Sequence, residues 1–139
     1  MARMNRLEFQ SLAAERLDDA AALLNSGRYA CAYYISGYAI ECALKACIAR
    51  QTKQDEFPPK DAAKYYVHDI PRLLEIAGLG EAFSEEAKLD PIFGENWAVV
   101  KDWSEDARYQ SRRQQQARDI LDAIDDPQHG VLRWLKANW

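Results

Sequence analysis

The sequence predicts an all-α protein, one helical domain spanning residues 1–139 and built as an up-down bundle of four to five helices. Three observations carry that reading. Residues 28–50 (RYACAYYISGYAIECALKACIAR) run for the length of a six-turn helix with no proline and are apolar nearly all round. Residues 5–25 before them repeat apolar side chains at helical spacing, and the Ser26-Gly27 turn between is too short to lead anywhere but an antiparallel neighbour. No stretch alternates apolar and polar residues as a half-buried strand does, and no internal repeat is present.

The 28–50 helix organises the rest. Ala32, Ile35, Ala39, Ala43 and Ala46 recur along one side, and Tyr33, Ile40, Leu44 and Cys47 make a second. A helix with two apolar sides belongs in the middle of a bundle, touched from several directions. Set into it are Glu41 and Lys45, at the i, i+4 spacing and order that lets their charges meet. They are either a salt bridge at the rim of the bundle or a functional pair.

The remaining elements follow in order. In residues 5–25, Phe9, Ala13, Leu17, Ala20 and Leu24 mark the buried stripe, while Arg6, Glu15, Asp18 and Asp19 face water. Residues 51–60, with two prolines, read as a loop over one end of the bundle, and residues 61–66 as a turn or two of helix. Asp69 is placed as an N-cap with Pro71 in the first turn of a short third helix, with Leu73, Leu74 and Ile76 as its buried side and Gly78 and Gly80 closing it. Residues 81–103 read as one or two helical pieces broken near Asp90-Pro91 and Gly94, anchored by Phe83, Ala87, Ile92, Phe93, Trp97 and Val100. Residues 104–110 form an exposed corner. The last long helix starts near Ser111 with Ala117, Ile120, Leu121 and Ile124 as its core stripe, and Asp125-Asp126-Pro127 ends or bends it. Residues 130–139 return as a short amphipathic helix with Val131, Leu135 and Trp139 on one side.

Composition bounds the function. The net charge of −4 argues against a protein that coats a nucleic acid with its whole surface. The charges are unevenly placed, however: residues 81–106 hold eight acids against two lysines, and residues 108–118 hold four arginines and no acid, so a local anion site is compatible with the acidic total. Cys31, Cys42 and Cys47 are odd in number and lie on one helix, which keeps the first two about 16 Å apart at 1.5 Å per residue. They read as reduced, buried, small apolar residues of a cytoplasmic protein. Residues 1–10 are polar, with no apolar signal core, and the central helix carries too many polar groups for a membrane span.

No Gly-rich phosphate loop, metal-ligand cluster or paired nucleophile and histidine appears, and no cofactor or metal is expected. Of the two histidines, His129 precedes Gly130 in a turn and reads as a capping residue. His68, beside Asp69 where a helix begins, is either a packing residue or a proton-transfer group. The second constellation is Trp103, Arg108, Tyr109, Arg112 and Arg113. Arginine forks fit phosphate oxygens and aromatic faces stack on bases, the combination a nucleotide or single-stranded RNA site needs. Its plain alternative is a solubilising basic turn paired with the acids before it.

Residues 23–48 (LLNSGRYACAYYISGYAIECALKACI), with the E-x-x-L-K core at Glu41, Leu44 and Lys45, resemble the HEPN domain, the nucleotide-binding domain named for higher eukaryotes and prokaryotes. The run His68-x-Ile-x-x-Leu-Leu, the corner Trp103-x4-Arg108-Tyr109 and the tail ILDAIDDPQHGVLRWLKANW extend the resemblance over most of the chain. It implies a small helical bundle and two kinds of function. The ribonucleolytic branch, often the toxin of a toxin–antitoxin pair, carries an Arg followed by a His after four to six intervening residues. At that spacing Asp61, Ala62 and Ala63 precede His68, and Asp122, Ala123 and Ile124 precede His129, so the motif is absent. The other branch binds nucleotides or pairs with a minimal nucleotidyltransferase, commonly as a homodimer, and the resemblance gives Glu41, Lys45, Trp103, Arg108 and Tyr109 as the lining of its cleft.

The expected function is therefore a non-catalytic, dimeric module binding a nucleotide, RNA or other phosphate-bearing ligand through Arg108, Lys45 and Arg112, with Tyr109 or Trp103 stacking on a base. One alternative is a divergent metal-independent ribonuclease in which His68 and Arg108 meet in the fold. A second is a protein-interaction subunit whose exposed aromatics, two of the four tryptophans lying in the last six residues, meet another chain.

Overall fold

The computed structural model describes residues 4–52 and 67–139. Most of the expected 51–60 loop and all of the expected 61–66 helical turn lie outside the described residues. The described chain is all-α with no strand: α1 (Arg6–Asn25), α2 (Tyr29–Arg50), α3 (Ile70–Ile76), α4 (Gly80–Leu89), α5 (Pro91–Val100), a 3-10 turn (Glu105–Tyr109), α6 (Gln114–Asp125) and α7 (Val131–Lys136). Five of these helices have ten residues or more, which is the bundle the sequence predicts; α3 and α7 are short additions to it.

The α1–α2 hairpin follows from its two ends. Asn5 Oδ1 accepts from the Glu8 backbone N–H at 2.9 Å while Glu8 Oε2 accepts from the Asn5 N–H at 3.1 Å, a reciprocal capping box that starts α1. At the other end Gly27 takes a left-handed conformation (φ 77°), the Gly27 N–H reaches the Leu24 carbonyl at 3.1 Å, and the Arg28 N–H reaches the Leu23 carbonyl at 2.9 Å. That closure satisfies the last carbonyls of α1 and reverses the chain at once into α2.

α2 is the axis of the molecule. Fifteen of its twenty-two residues are buried, including an unbroken run from Ala39 to Ala49, because α1, α3, α6, α7 and the 3-10 turn all pack on it. Its many alanines let those neighbours approach closely, and the larger Ile40, Leu44 and Ile48 fill the spaces between them. Cys42 and Cys47 are buried as expected, but Cys31 is exposed: it sits on the first turn, before the helix enters the bundle.

α4 and α5 are two arms of one bend. Asp90 ends the first and caps the second, its Oδ1 accepting from the Ile92 and Phe93 N–H groups at 3.2 and 3.3 Å, and Pro91 fits the first turn where no N–H partner is needed. The expected break at Gly94 does not occur. That glycine lies inside α5, where an added Cβ would sit 3.6 Å from the Ala87 carbonyl oxygen, ordinary contact distance between the two arms. Gly80 likewise opens α4 instead of closing α3. The arms are held on the bundle by Phe83, whose ring centroid lies 4.7 Å from Phe93, 4.6 Å from Trp97 and 5.1 Å from Trp134.

Trp134 is thus a core residue of the chain's own aromatic cluster. Trp139 is half-buried, with its carbonyl accepting from Gln10 Nε2 at 2.7 Å. Of the tail tryptophans, Trp134 is therefore internal, while Trp139 packs on the core and stays partly exposed. α6 begins at Gln114, three residues after the expected Ser111. The chain leaves the 3-10 turn extended, and the side chain of Gln116 reaches back to the Arg113 N–H at 3.0 Å, which sets the helix start there. Its predicted stripe of Ala117, Ile120, Leu121 and Ile124 is buried.

Candidate functional site

The Glu41–Lys45 pair is not at the rim. Glu41 is 2% exposed and Lys45 8%, with Nζ and Oε2 3.1 Å apart. A buried carboxylate needs further donors, and His68 supplies one: its Nδ1 lies 3.1 and 3.0 Å from the two oxygens of Glu41. Facing a carboxylate, Nδ1 carries the ring proton, so Nε2 is turned the other way. There it meets Glu105 Oε2, on the 3-10 turn, at 3.5 Å. Asp69, the N-cap of α3, fixes the backbone beside His68 by accepting from the Arg72 N–H at 3.1 Å. The chain Lys45–Glu41–His68–Glu105 therefore ties α2, the start of α3 and the corner after α5 together.

His68 and this corner form the two sides of a cleft of about 560 Å³, lined by Val67, His68, Asp69 and Pro71 on one side and residues 101–106 on the other. Asp69, Asp102, Glu105 and Asp106 give it four carboxylates against Lys101. Such a lining repels a phosphate. The expected arrangement, with Lys45 as an anion contact in this cleft, is therefore unfavourable: Lys45 is engaged by Glu41 beneath His68.

Trp103 was expected to offer a stacking face, but it is 3% exposed. Its ring lies against Gly37 of α2, where any Cβ would overlap it, and is stacked on Tyr34 with centroids 5.8 Å apart. A glycine in mid-helix costs about 1 kcal/mol relative to alanine, so Gly37 was the sequence signal of this close approach. The indole N–H of Trp103 is buried with no acceptor among the described residues.

The arginine segment lies past the corner. Tyr109 is 77% exposed, and the Arg108 guanidinium sits 4.8 Å from its ring centroid. Tyr109, above all, pushes the Arg108 guanidinium further above its usual range. The Arg112 guanidinium lies 4.3 Å from the ring centroid of Tyr33 and donates to Gln110 Oε1 at 2.6 Å, so it is partly committed to these contacts. Among the described residues, Arg108, Arg112 and Arg113 form no ion pair with a carboxylate. Glu105 is near enough to add to the upward push on Arg108, but without an ion-pair contact.

His68 and Arg108 do not touch; His68 contacts Glu105, one 3-10 turn before Arg108. His129 is a brace. Its Nδ1 bonds Asp90 Oδ2 at 2.6 Å and its carbonyl accepts from Asn96 Nδ2 at 2.9 Å, joining the α4–α5 bend to the α6–α7 turn. No group of three or more His, Cys, Asp or Glu side chains among the described residues is placed to hold a metal ion. No helix among them is long and apolar enough to cross a membrane.

The family model of the HEPN domain matches residues 9–137. The chain belongs to that family. No curated protein and no solved structure matches it.

Proposed function

We propose that this HEPN domain is a binding module for nucleotides or short single-stranded RNA, with Arg108 and Arg112 as the phosphate contacts and Tyr109 as the stacking face. The observation that carries the reading is the Arg108–Tyr109 unit: a solvent-facing ring with a guanidinium over it, whose charge Glu105 approaches without forming an ion pair. Arginine recognises phosphate oxygens in pairs, and an exposed aromatic face stacks on any base, worth about 1–3 kcal/mol per base. Glu41, Lys45 and Trp103 have a supporting part: they hold the 3-10 turn that presents Arg108 and Tyr109. The module works as a homodimer, beside a minimal nucleotidyltransferase or within a toxin–antitoxin pair.

The test is fluorescence anisotropy of a labelled short single-stranded RNA over a range of salt concentrations. Binding should weaken as salt rises, and Arg108→Ala should both weaken it and flatten the salt dependence. Tyr109→Ala should weaken it at every salt concentration with the slope unchanged. Affinity indifferent to both substitutions contradicts the proposal.

A second reading rests on His68. A carboxylate that fixes the imidazole by Nδ1 leaves Nε2 directed at a cleft, which is the arrangement of a general base. In that reading the protein cleaves RNA, with His68 taking the proton and Arg108 stabilising charge. Loss of cleavage in His68→Ala supports it, and a clean preparation that cleaves nothing excludes it.

A further inference from the structure

His68 stands between two carboxylates, and we propose that its protonation regulates the Arg108–Tyr109 site: the imidazolium holds Glu105 away from Arg108, and the neutral ring releases Glu105 to compete with the phosphate of the ligand. The inference rests on the binding reading above and adds to it a control by pH.

Both ring nitrogens face carboxylate oxygens. Nδ1 lies 3.1 and 3.0 Å from the two oxygens of Glu41, and Nε2 lies 3.5 Å from Glu105 Oε2. A neutral imidazole has one N–H and one lone pair, so it serves only one of the two. Glu41 is buried and loses more than an exposed carboxylate if its donor is withdrawn, so the single proton of the neutral ring stays on Nδ1. Nε2 then turns a lone pair toward Glu105, and the two acceptors repel. The imidazolium carries an N–H on each side and attracts both carboxylates. The hold of His68 on Glu105 therefore belongs to one protonation state.

The other charged groups around the ring come from three elements. Lys45 of α2 lies behind Glu41, Asp69 precedes α3, and Lys101, Asp102 and Asp106 belong to the corner. Arg72 of α3 pairs with Glu75 instead. Carboxylates and ammonium groups keep their charge between about pH 5.5 and 8, the interval in which histidine changes its own. His68 is thus the member of this cluster that responds to pH there.

The 3-10 turn carries the response to the site. Glu105 and Arg108 are three residues apart on it. Side chains at i and i+3 of such a turn eclipse, about 6 Å apart along its axis, so the two project from one side. Beside Tyr109, the larger cause, Glu105 already adds to the upward push on the Arg108 guanidinium without an ion-pair contact. The Glu105 side chain is 42% exposed, so a change of rotamer toward Arg108 displaces nothing buried. An arginine bridged by a carboxylate offers fewer N–H groups and less net charge to a phosphate.

Fluorescence anisotropy tests this, with the full chain titrated into a labelled oligouridine that lacks a terminal phosphate. The charge of its phosphodiesters is constant from pH 5.5 to 8. Affinity of the wild type should fall about twofold to fivefold between those limits, the effect of one exposed charge pair. Glu105→Gln removes the competing charge and should bind at pH 8 as tightly as at pH 5.5. His68→Gln is neutral at every pH and should give a flat profile at the weaker affinity that the wild type shows at pH 8. The other histidine braces Asp90, and His129→Ala should keep the wild-type profile. Equal affinity of the wild type at pH 5.5 and 8, or a pH dependence that survives Glu105→Gln, overturns the control by His68 and leaves the binding reading standing. No binding at any pH overturns both.

Discussion

Glu41 holds both carboxylate oxygens within hydrogen-bond distance of His68 Nδ1, at 3.1 and 3.0 Å, from a position 27 residues earlier in the chain. This contact joins the most buried helix to the cleft wall. It turns a charge pair within one helix into the foundation of the site, since the same carboxylate bonds Lys45 from below.

Glu41→Ala removes the carboxylate shared by Lys45 and His68. Breaking a buried pair costs about 3–5 kcal/mol, and that loss is expected here in urea unfolding. A loss below about 1 kcal/mol is what an exposed bridge gives and would contradict the buried arrangement.

Gly37→Ala forces a methyl group into the ring of Trp103. Overpacking of this kind costs about 1–3 kcal/mol. In a Trp103→Ala background the clash is gone, and Gly37→Ala should become neutral or stabilise by up to about 1 kcal/mol, the helix-propensity gain. Additive effects of the two substitutions, measured in a double-mutant cycle, would contradict the close approach.

The sequence made some of this legible and hid the rest for identifiable reasons. The α1–α2 hairpin was written in Ser26-Gly27, and the α4–α5 bend in Asp90-Pro91, because a left-handed cap and a proline act locally. Ser111 misled because the cap of α6 is supplied from inside the helix, by Gln116. Gly94 misled because the Asp90 cap and the packing against Ala87 hold the helix through it. Glu41 and Lys45 could be seen to pair, but not that His68 completes the group, since that contact exists only once α3 is docked. Trp103 looked like a stacking face until its packing on Gly37 was visible. Of the expected ligand contacts, Arg108 and Tyr109 are open to solvent, Arg112 is half-buried on Tyr33, and the other three are internal.

The brace at His129 gives a pH prediction. The His129 hydrogen bond, assisted by the Phe93 and Ile92 N–H groups, holds the Asp90 carboxyl below the usual carboxylate range, and the Gln128 and His129 N–H groups do the same for Asp126. A carboxyl lowered on folding contributes stability that is fully present above its unfolded value, about 3.9, and is lost as pH falls through the folded one. His129→Ala removes the largest cause at Asp90, so the deficit of this variant should be full at pH 6 and shrink below about pH 4. A deficit unchanged down to pH 2 would contradict the brace.

The thiols should separate by reactivity. Burial pushes Cys42 and Cys47 up to about 12, whereas Cys31 is exposed. The thiolate is the reactive form, so at neutral pH an aromatic disulfide reagent should titrate one thiol quickly in the native protein and three after denaturation. Rapid reaction of all three in the native state would contradict the central placement of α2.

Thermal unfolding in the presence of ATP, GTP, UTP, CTP and a short single-stranded RNA tests whether the domain binds nucleotides. A ligand at about 100 times its dissociation constant that binds only the folded state adds roughly 2.7 kcal/mol, a rise of a few degrees in the midpoint for a domain of this size. Such a rise is expected for the wild type, diminished by Tyr109→Ala and abolished by Arg108→Ala. A midpoint that no nucleotide or RNA moves would contradict it.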